Sequence, residues 1–561
     1  MFFRNNNNFI KKYFIKELFF ILITSLIFNF STIGSLPTLD RDEARYVQAS
    51  KQMIETKNHF SVRFQEEFRS KKPIGIYWLQ SYLVKHISVL EQVDNGKFKI
   101  LNNHIWKYRL VSAIASLLSI LILFYLSNKI FSRKIAYISS LILSCTLIFV
   151  TESHIAKTDS ALLTCSITIM LILAGYYLGY FKKTNIIAFL IFWIFTSISI
   201  LLKGPIILII IVLCLLFIYI IEKDIKWIRN SSPVIGLIIT STLIIPIFYY
   251  LMRTGQENFL KESLVNDLFK KVISPEENHG AFFGAHLLSS WFLFFPMAMF
   301  IVPTFLFIKK NISDKKVFFL AAWIIPNFLI LELIPTKLPH YTLPLYPAFC
   351  ILVAMLLTQV NNNDDIFRSN LSKLGYIFSY FISTLFIFLL SFGVLKFGNL
   401  DKKIIILTII LFLFNTYSFY ILYRKKILLL FKYQIAISAF IYIAIFSIYL
   451  PNMEKLWISK KISETINRYD NHHNSKNIAS LGYNEPSLVF ELGTNLNILK
   501  NINDIPNNLE ELKFVILEEK FYENFIEILQ NNDIKYILLN EFNGYNSAKS
   551  KWIKIYIFKI L

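Results

Sequence analysis

Acidic residues are scarce in this 561-residue chain: 37 Asp and Glu stand against 58 Lys and Arg, a formal net charge of +21. Charge of either sign is thin as well, at 17% of residues where soluble globules carry about a quarter. With 55% apolar residues and a mean hydropathy of +0.51, this balance excludes an ordinary soluble enzyme. Glycine and proline number only 16 each, which excludes collagen-like and low-complexity chains. The four cysteines, Cys145, Cys165, Cys214 and Cys350, each sit inside an apolar run and supply neither a disulfide framework nor metal-finger spacing. Buriable surface is what abounds: 54 Phe and 29 Tyr are far more than a disordered chain carries. The chain must fold mostly in lipid, where excess positive charge reflects lysines retained on the cytoplasmic side and not a nucleic-acid partner.

A helix crossing about 30 Å of hydrocarbon needs about 20 mostly apolar residues. Thirteen runs qualify, near 14–34, 106–127, 135–152, 160–180, 185–202, 204–221, 233–252, 281–308, 317–334, 341–359, 372–395, 404–423 and 430–450. Arg4, Lys11 and Lys12 precede the first run, Lys16 opens it, and no small-residue cleavage site follows, so a retained anchor with a cytoplasmic N-terminus is expected. Alternate loops then collect the cations, as the positive-inside rule requires: Lys129, Arg133 and Lys134; Lys182 and Lys183; Lys223, Lys226 and Arg229; Lys309, Lys310, Lys315 and Lys316; Arg368 and Lys373; Arg424 to Lys426 and Lys432. This predicts a polytopic α-helical membrane domain over 1–450, with outside loops at 35–105 and 253–280. The polar tail 451–561 alternates strand-like runs at Ile478–Leu481, Phe514–Leu517 and Tyr536–Leu539 with a helical one at Tyr522–Leu529, which predicts a small external α/β domain.

The polar chemistry gathers on the outside face. Leu39-Asp40-Arg41-Asp42-Glu43-Ala44-Arg45-Tyr46 runs into a helical period, and Asp40 followed three residues later by Glu43 reads as a capping box. A functional reading adds that Asp42, held at a helix N-terminus, stays ionised and fixed in direction, ready to act as a base or to steer a nucleophile. Arg69-Ser70-Lys71-Lys72-Pro73 precedes Tyr77-Trp78, an interfacial aromatic pair whose neighbouring outward lysines suit a bound anion. Glu152 to Asp159, Lys203-Gly204-Pro205, Pro275 to Gly280, and Pro335 to Tyr341 repeat the oddity at successive outside hairpins. Charges near membrane depth are costly and usually functional, so an external active site at the lipid boundary is expected. Lysines beside aromatics at that level suit a lipid phosphate, and a fixed carboxylate among them suits substitution at a carbon whose leaving group is that phosphate.

Taken in order, Asp42-Glu43-Ala44-Arg45-Tyr46, Lys72-Pro73 with Tyr77-Trp78, Lys157-Thr158-Asp159, Lys203-Gly204-Pro205, Glu277-Asn278-His279-Gly280 and Lys337-Leu338-Pro339-His340-Tyr341 resemble the aminoarabinose transferase and protein O-mannosyltransferase superfamily. Gly482 to Phe490 resembles the soluble domain of its bacterial branch. The resemblance implies a multi-spanning GT-C glycosyltransferase of the bacterial inner membrane, with its active site and C-terminal domain in the periplasm. It implies a polyprenyl-phosphate-linked sugar as donor, inversion at the sugar carbon, and a lipid A, lipopolysaccharide or other glycan acceptor. By the same resemblance Asp42, with Glu43 beside it, is catalytic, and Lys72, Arg109, Lys71 and Lys203 surround the donor phosphate. Arg45, Tyr46, Asp159, Glu277, His279, Lys337, His340 and Tyr341 complete the site. A divalent metal would fall to Glu277 and His279, but Lys71 stands where the aminoarabinose enzymes carry a further Glu, which puts both the metal and that sugar in question. A protein mannosyltransferase remains open within the enzyme class. A lipid-linked sugar flippase would show paired broken helices at mid-depth, and the polar motifs lie on one side instead.

Overall fold

The computed structural model describes residues 2–69, 72–93, 97–254, 280–471, 473–505 and 509–561. Its helices open with α1 (Phe2–Asn29), α2 (Asp42–Glu55), α3 (Gly75–Ile87), α4 (Ile105–Ile130), α5 (Arg133–Ser144), α6 (Leu147–Ser153), α7 (Asp159–Tyr177), α8 (Ile186–Lys203), α9 (Ile206–Glu222) and α10 (Pro233–Arg253). Nine described helices are long and apolar enough to cross a membrane, and α5 with α6, bent by 64°, makes a tenth. Each of the thirteen expected runs contains helix, and ten of them meet the length and apolarity of a span among the described residues. The first helix falls outside those ten, and α9 is one of the shorter apolar helices. Residues 281–308 divide into Ala285–Leu293, a tight turn at Met297–Phe300, and Ile301–Asn311, around Pro296, which lacks the N–H a continuing helix needs.

The centre of the bundle is α7, 94% buried over its most apolar window, while α10 at 22% faces lipid. Small residues let α7 approach its neighbours: Thr164 donates to the Ala115 carbonyl of α4 at 2.8 Å and meets Ser119 at 2.9 Å. Above one end of the bundle lie α2 and α3, joined by the short hairpin β1 (Arg63–Phe64) to β2 (Glu67–Phe68), and a second hairpin pairs β3 (Leu90–Gln92) with β4 (Phe98–Ile100). The second loop expected at 253–280 falls almost wholly outside the described residues.

The C-terminal sheet domain has five strands, β5 (Ile478–Leu481), β6 (Asn497–Leu499), β7 (Phe514–Glu518), β8 (Tyr536–Asn546) and β9 (Lys551–Ile560), in the order β6-β5-β7-β9-β8. Three parallel strands β6, β5 and β7 continue into the antiparallel β8–β9 pair. The fully buried run of β7 fits its position in the middle of the sheet. One face packs on the helix Ile458–Tyr469 through Ile458, Ile462 and Ile466, and the other on the helix Tyr522–Asn531 through Phe525 and Leu529.

Candidate functional site

The first turn of α2 sends adjacent acids to different fates. Successive helical residues are rotated by about 100°, so Glu43 turns inward while Asp42 stays exposed. Glu43 is 1% exposed, and both of its oxygens are saturated. Oε1 accepts Arg109 Nε at 2.8 Å and the Ala156 N–H at 2.8 Å. Oε2 accepts Arg109 Nη2 at 2.8 Å and the Leu39 N–H at 2.9 Å. The remaining Arg109 donors go to the carbonyls of Ile33 (3.0 Å), Leu36 (2.7 Å) and Pro37 (2.8 Å). All five guanidinium N–H groups are thus used inside the protein. Arg109, expected at the donor phosphate, is a buried clamp with nothing left for a phosphate, and Glu43, expected beside Asp42 in catalysis, is its counter-ion.

The expected capping box does not form either. The residue before α2 is Arg41, at φ 62° and ψ −103°, and no side chain caps the helix. Asp40 turns away to accept the Ser487 hydroxyl of the sheet domain. Burial there pushes the Asp40 carboxyl up to about 7, the Ser487 bond working against the shift and Glu485 adding to it.

The clamp seats the loop between α6 and α7 beneath the start of α2. Ser112 donates to the Ile155 carbonyl at 2.7 Å and Gln80 to that of Ala156 at 3.1 Å, which brings Lys157 within electrostatic range of Asp42. Lys157 Nζ lies 3.0 Å from Glu152, 3.7 Å from Asp159 and 3.3 Å from His340 Nδ1. Burial works against its charge, and Glu152 and Asp159 outweigh burial, so Lys157 is held above the ordinary lysine range. Asp159 also takes Lys203 at 2.6 Å, and Lys203 lies over the Tyr341 ring at 5.6 Å. Lys203, expected at the donor phosphate, thus already has a carboxylate partner and shares the cluster with Asp159, His340 and Tyr341.

Glycines make this convergence possible. A Cβ on Gly75 would lie 2.6 Å from the Leu201 carbonyl, so the start of α3 rests directly on the end of α8. Gly204, at φ 71° and ψ −153°, turns the chain immediately after Lys203 in a conformation open essentially to glycine alone. On the near side Arg69 donates to Tyr77 Oη at 2.9 Å and stacks 5.3 Å from the Tyr46 ring, while Tyr46 and Tyr77 lie 5.5 Å apart. Burial pushes the Tyr46 hydroxyl far above its ordinary value, with Tyr77 and Asp42 adding to the shift. Lys72 lies within electrostatic range of His340, and Arg45 is half-buried on α2.

Lys337 does not join them. Its ammonium donates to the carbonyls of Leu331 (3.3 Å), Glu332 (2.6 Å) and Ile334 (3.0 Å) and pairs with the buried Glu332 carboxylate at 3.5 Å. Glu332 in turn accepts the Gly284 and Leu287 N–H groups at 3.0 and 2.7 Å. Lys337, expected in the site, anchors instead the loop that carries His340 and Tyr341. Lys71, Glu277 and His279, and with them the expected metal position, lie outside the described residues; among the described ones no group of three or more His, Cys, Asp or Glu could hold a metal ion. Glu152 and Lys157 are central to the cluster and Arg69 flanks it on Tyr46 and Tyr77, although the sequence, which places all three in polar outside motifs, assigns them no individual role. The signal available was an acid at the end of an apolar run, five residues before a lysine.

Residues 95–250 match the model of the dolichyl-phosphate-mannose-protein mannosyltransferase family. An uncharacterised Aquifex aeolicus protein is 24% identical over 341 residues, 60% of this chain and 63% of that one, so the match spans under two thirds of that relative. The undecaprenyl phosphate-alpha-4-amino-4-deoxy-L-arabinose arabinosyl transferase of Wigglesworthia glossinidia brevipalpis is 25% identical over 532 residues, 91% of this chain and 89% of that one. Among solved structures, ArnT from Cupriavidus metallidurans bound to undecaprenyl phosphate superposes with a TM-score of 0.73 at 14% identity, covering 96% of this chain and 97% of that one. The Archaeoglobus fulgidus oligosaccharyltransferase gives 0.54 at 12% identity, covering 91% and 70%. The architecture expected from the sequence, a helical membrane bundle with a small C-terminal α/β domain, is the one found, and its fold is that of the ArnT structure.

Proposed function

We propose that this chain, a glycosyltransferase of the GT-C type, moves a sugar from a polyprenyl-phosphate donor to a lipid A, lipopolysaccharide or other envelope acceptor on the periplasmic face of a bacterial inner membrane. The observation that carries the reading is Asp42: an exposed carboxylate at a helix start, within electrostatic range of the half-buried Lys157, which gathers with Asp159, Lys203 and His340. An apolar cavity lined by Phe294, Phe305, Phe328, Tyr346 and Phe349 reaches Glu332 and Thr342, next to Tyr341 in the chain, and suits a prenyl tail whose phosphate lies at the cluster.

In this reading an acceptor oxygen attacks the anomeric carbon in line. The bond from that carbon to the phosphate oxygen breaks, and its electron pair leaves with the lipid phosphate. Lys157, Lys203 and Lys72 stabilise the charge that develops there, an electrostatic contribution often worth several kcal/mol. For a hydroxyl acceptor Asp42 takes the proton; for a phosphate acceptor, already ionised, Asp42 orients it and balances charge. The face assignment rests on the cation-rich loops at the opposite ends of the spans.

The test compares Asp42→Asn and Lys72→Ala with the parent in vesicles, following label transferred from the host's own prenyl-phosphate sugar pool. Loss of transfer in both is expected, and parental turnover in both overturns the assignment. Mass spectrometry of lipid A, core and O-chain from a deletion strain then identifies sugar and acceptor. The family-model match over 95–250 favours a protein hydroxyl as the second acceptor class, and an unchanged envelope glycome with accumulated lipid-linked sugar is its signature.

A further inference from the structure

The motif Gly482 to Phe490 takes no part in the chemistry above, yet its side chains reach the base of the loop that ends in Asp42. Asp40 accepts the Ser487 hydroxyl, and Ser487 meets Ser459, which in turn lies 2.9 Å from Tyr483 Oη. Glu485 at the head of the same helix, Pro486–Leu492, accepts Asn546 at 2.9 Å. Arg41 donates to the Ala548 carbonyl in the β8–β9 turn. Both residues immediately before Asp42 are therefore tied to the sheet domain. Further along, Thr38 donates to Glu491 at 2.7 Å, Lys51 to the Phe490 carbonyl at 3.3 Å and Gln48 to Thr494 at 2.8 Å.

The backbone between the ties carries strain. Arg41 at φ 62° and ψ −103° occupies a region that non-glycine residues adopt only where the surroundings over-determine it, and such positions cluster at functional sites. A cap bond from Asp40 would have ended the helix without strain, but that carboxylate faces the sheet domain instead.

We infer that the C-terminal sheet domain aims Asp42: Ser487 and the Ala548 carbonyl, by holding Asp40 and Arg41, fix the direction from which α2 presents that carboxylate to the Lys157 cluster. Ser487, Asp40 and Arg41 act through Asp42 as positioning residues. The inference rests on the reading of Asp42 as the reacting carboxylate.

The full-length protein in vesicles is assayed for transfer as above and, separately, for binding of undecaprenyl phosphate and for unfolding. Asp40→Ala and Ser487→Ala lose about 10- to 100-fold in kcat, the scale of a misplaced reacting group, while undecaprenyl phosphate affinity stays within about twofold. Asp40→Asn, which keeps an acceptor for the Ser487 hydroxyl, restores most of the rate. Arg41→Gly separates aim from stability, because glycine adopts the positive φ without strain. Its unfolding midpoint holds or rises while kcat falls, which a merely structural tie does not produce. Parental kcat in Asp40→Ala, Ser487→Ala and Arg41→Gly beside an inactive Asp42→Asn overturns the inference and leaves the proposed function standing. Parental turnover in Asp42→Asn overturns both.

Discussion

Replacing Arg109 by Met separates two roles that the same residue could have had. In the structure its guanidinium makes five hydrogen bonds, two to the Glu43 carboxylate and three to carbonyls of the chain entering α2. Side-chain exposure is 1% on both members of the pair, so removing the cation strands a carboxylate out of water. Breaking a buried pair in this way costs about 3–5 kcal/mol. The three orphaned carbonyls, Ile33, Leu36 and Pro37, relax toward other donors only in part, so the upper end of that range is expected. Denaturant unfolding in detergent micelles measures it. Glu43→Leu with Arg109→Met removes both charges and recovers only the part of the loss caused by the stranded charge, because the three carbonyls and the Ala156 and Leu39 N–H groups stay without these partners; the pair still shows coupling in a double-mutant cycle. Undecaprenyl phosphate binding to the folded fraction stays close to the parent. Parental stability in Arg109→Met with a tenfold or greater loss of undecaprenyl phosphate affinity refutes the reasoning and returns Arg109 to the phosphate.

Lys337→Met leaves Glu332 buried without its cation and costs about 3–5 kcal/mol by the same logic, read as a lowered unfolding midpoint. Gly75→Ala drives a methyl against the Leu201 carbonyl and costs about 1–3 kcal/mol of overpacking; it also shifts the end of α8, so transfer falls more in Gly75→Ala than in an equally destabilised variant remote from Lys203. Asp40 carries a pH dependence. Its carboxyl is raised from 3.8 to about 7 by burial, against the Ser487 bond and the Arg41 charge and with Glu485 adding to burial. A raised folded value means the stabilising contribution is complete below about pH 4 and is lost as pH rises through about 7. Protease protection of the sheet domain is therefore greater at pH 6 than at pH 8, and Asp40→Asn flattens the difference.

Much of the architecture was legible because lipid imposes one rule over long windows. Twenty apolar residues in a row admit few structures, and the strands at Ile478, Phe514 and Tyr536 begin where alternation and branched residues place them. The count of spans was less legible. A window over 281–308 averages across Pro296, and the same method cannot see that α5 and α6 bend by 64°. In the site, the polar hairpins converge as their placement on one face required, which brings Lys157, Asp159, Lys203, His340 and Tyr341 together. Individual roles were not legible where partners lie far apart in sequence. Arg109 and Glu43 are 66 residues apart and Ser487 and Asp40 are 447 apart, and nothing local marks either pair. The capping box failed for the same reason: its residues satisfied the local pattern but had stronger distant partners.

Arg109 and Lys337, both expected in the site, share a physical logic as buried ion pairs. Each sits at the mouth of the bundle, in a motif with polar neighbours, and each is buried against one carboxylate and several carbonyls. Each carboxylate then takes backbone N–H groups from a second segment: Ala156 and Leu39 for Glu43, Gly284 and Leu287 for Glu332. Such a pair gains little net stability over apolar packing, but its geometry is exacting, and it pins the loops it joins. One pins the start of α2 against the loop bearing Lys157; the other pins the loop bearing His340 and Tyr341. Lys157 and Lys203 keep acidic partners and share the Asp159 carboxylate; in the proposed function an arriving phosphate draws on both. In that reading Arg109, with all its hydrogen bonds met inside the protein, builds the frame, and Lys157 and Lys203, which share a carboxylate, exchange it for the substrate anion.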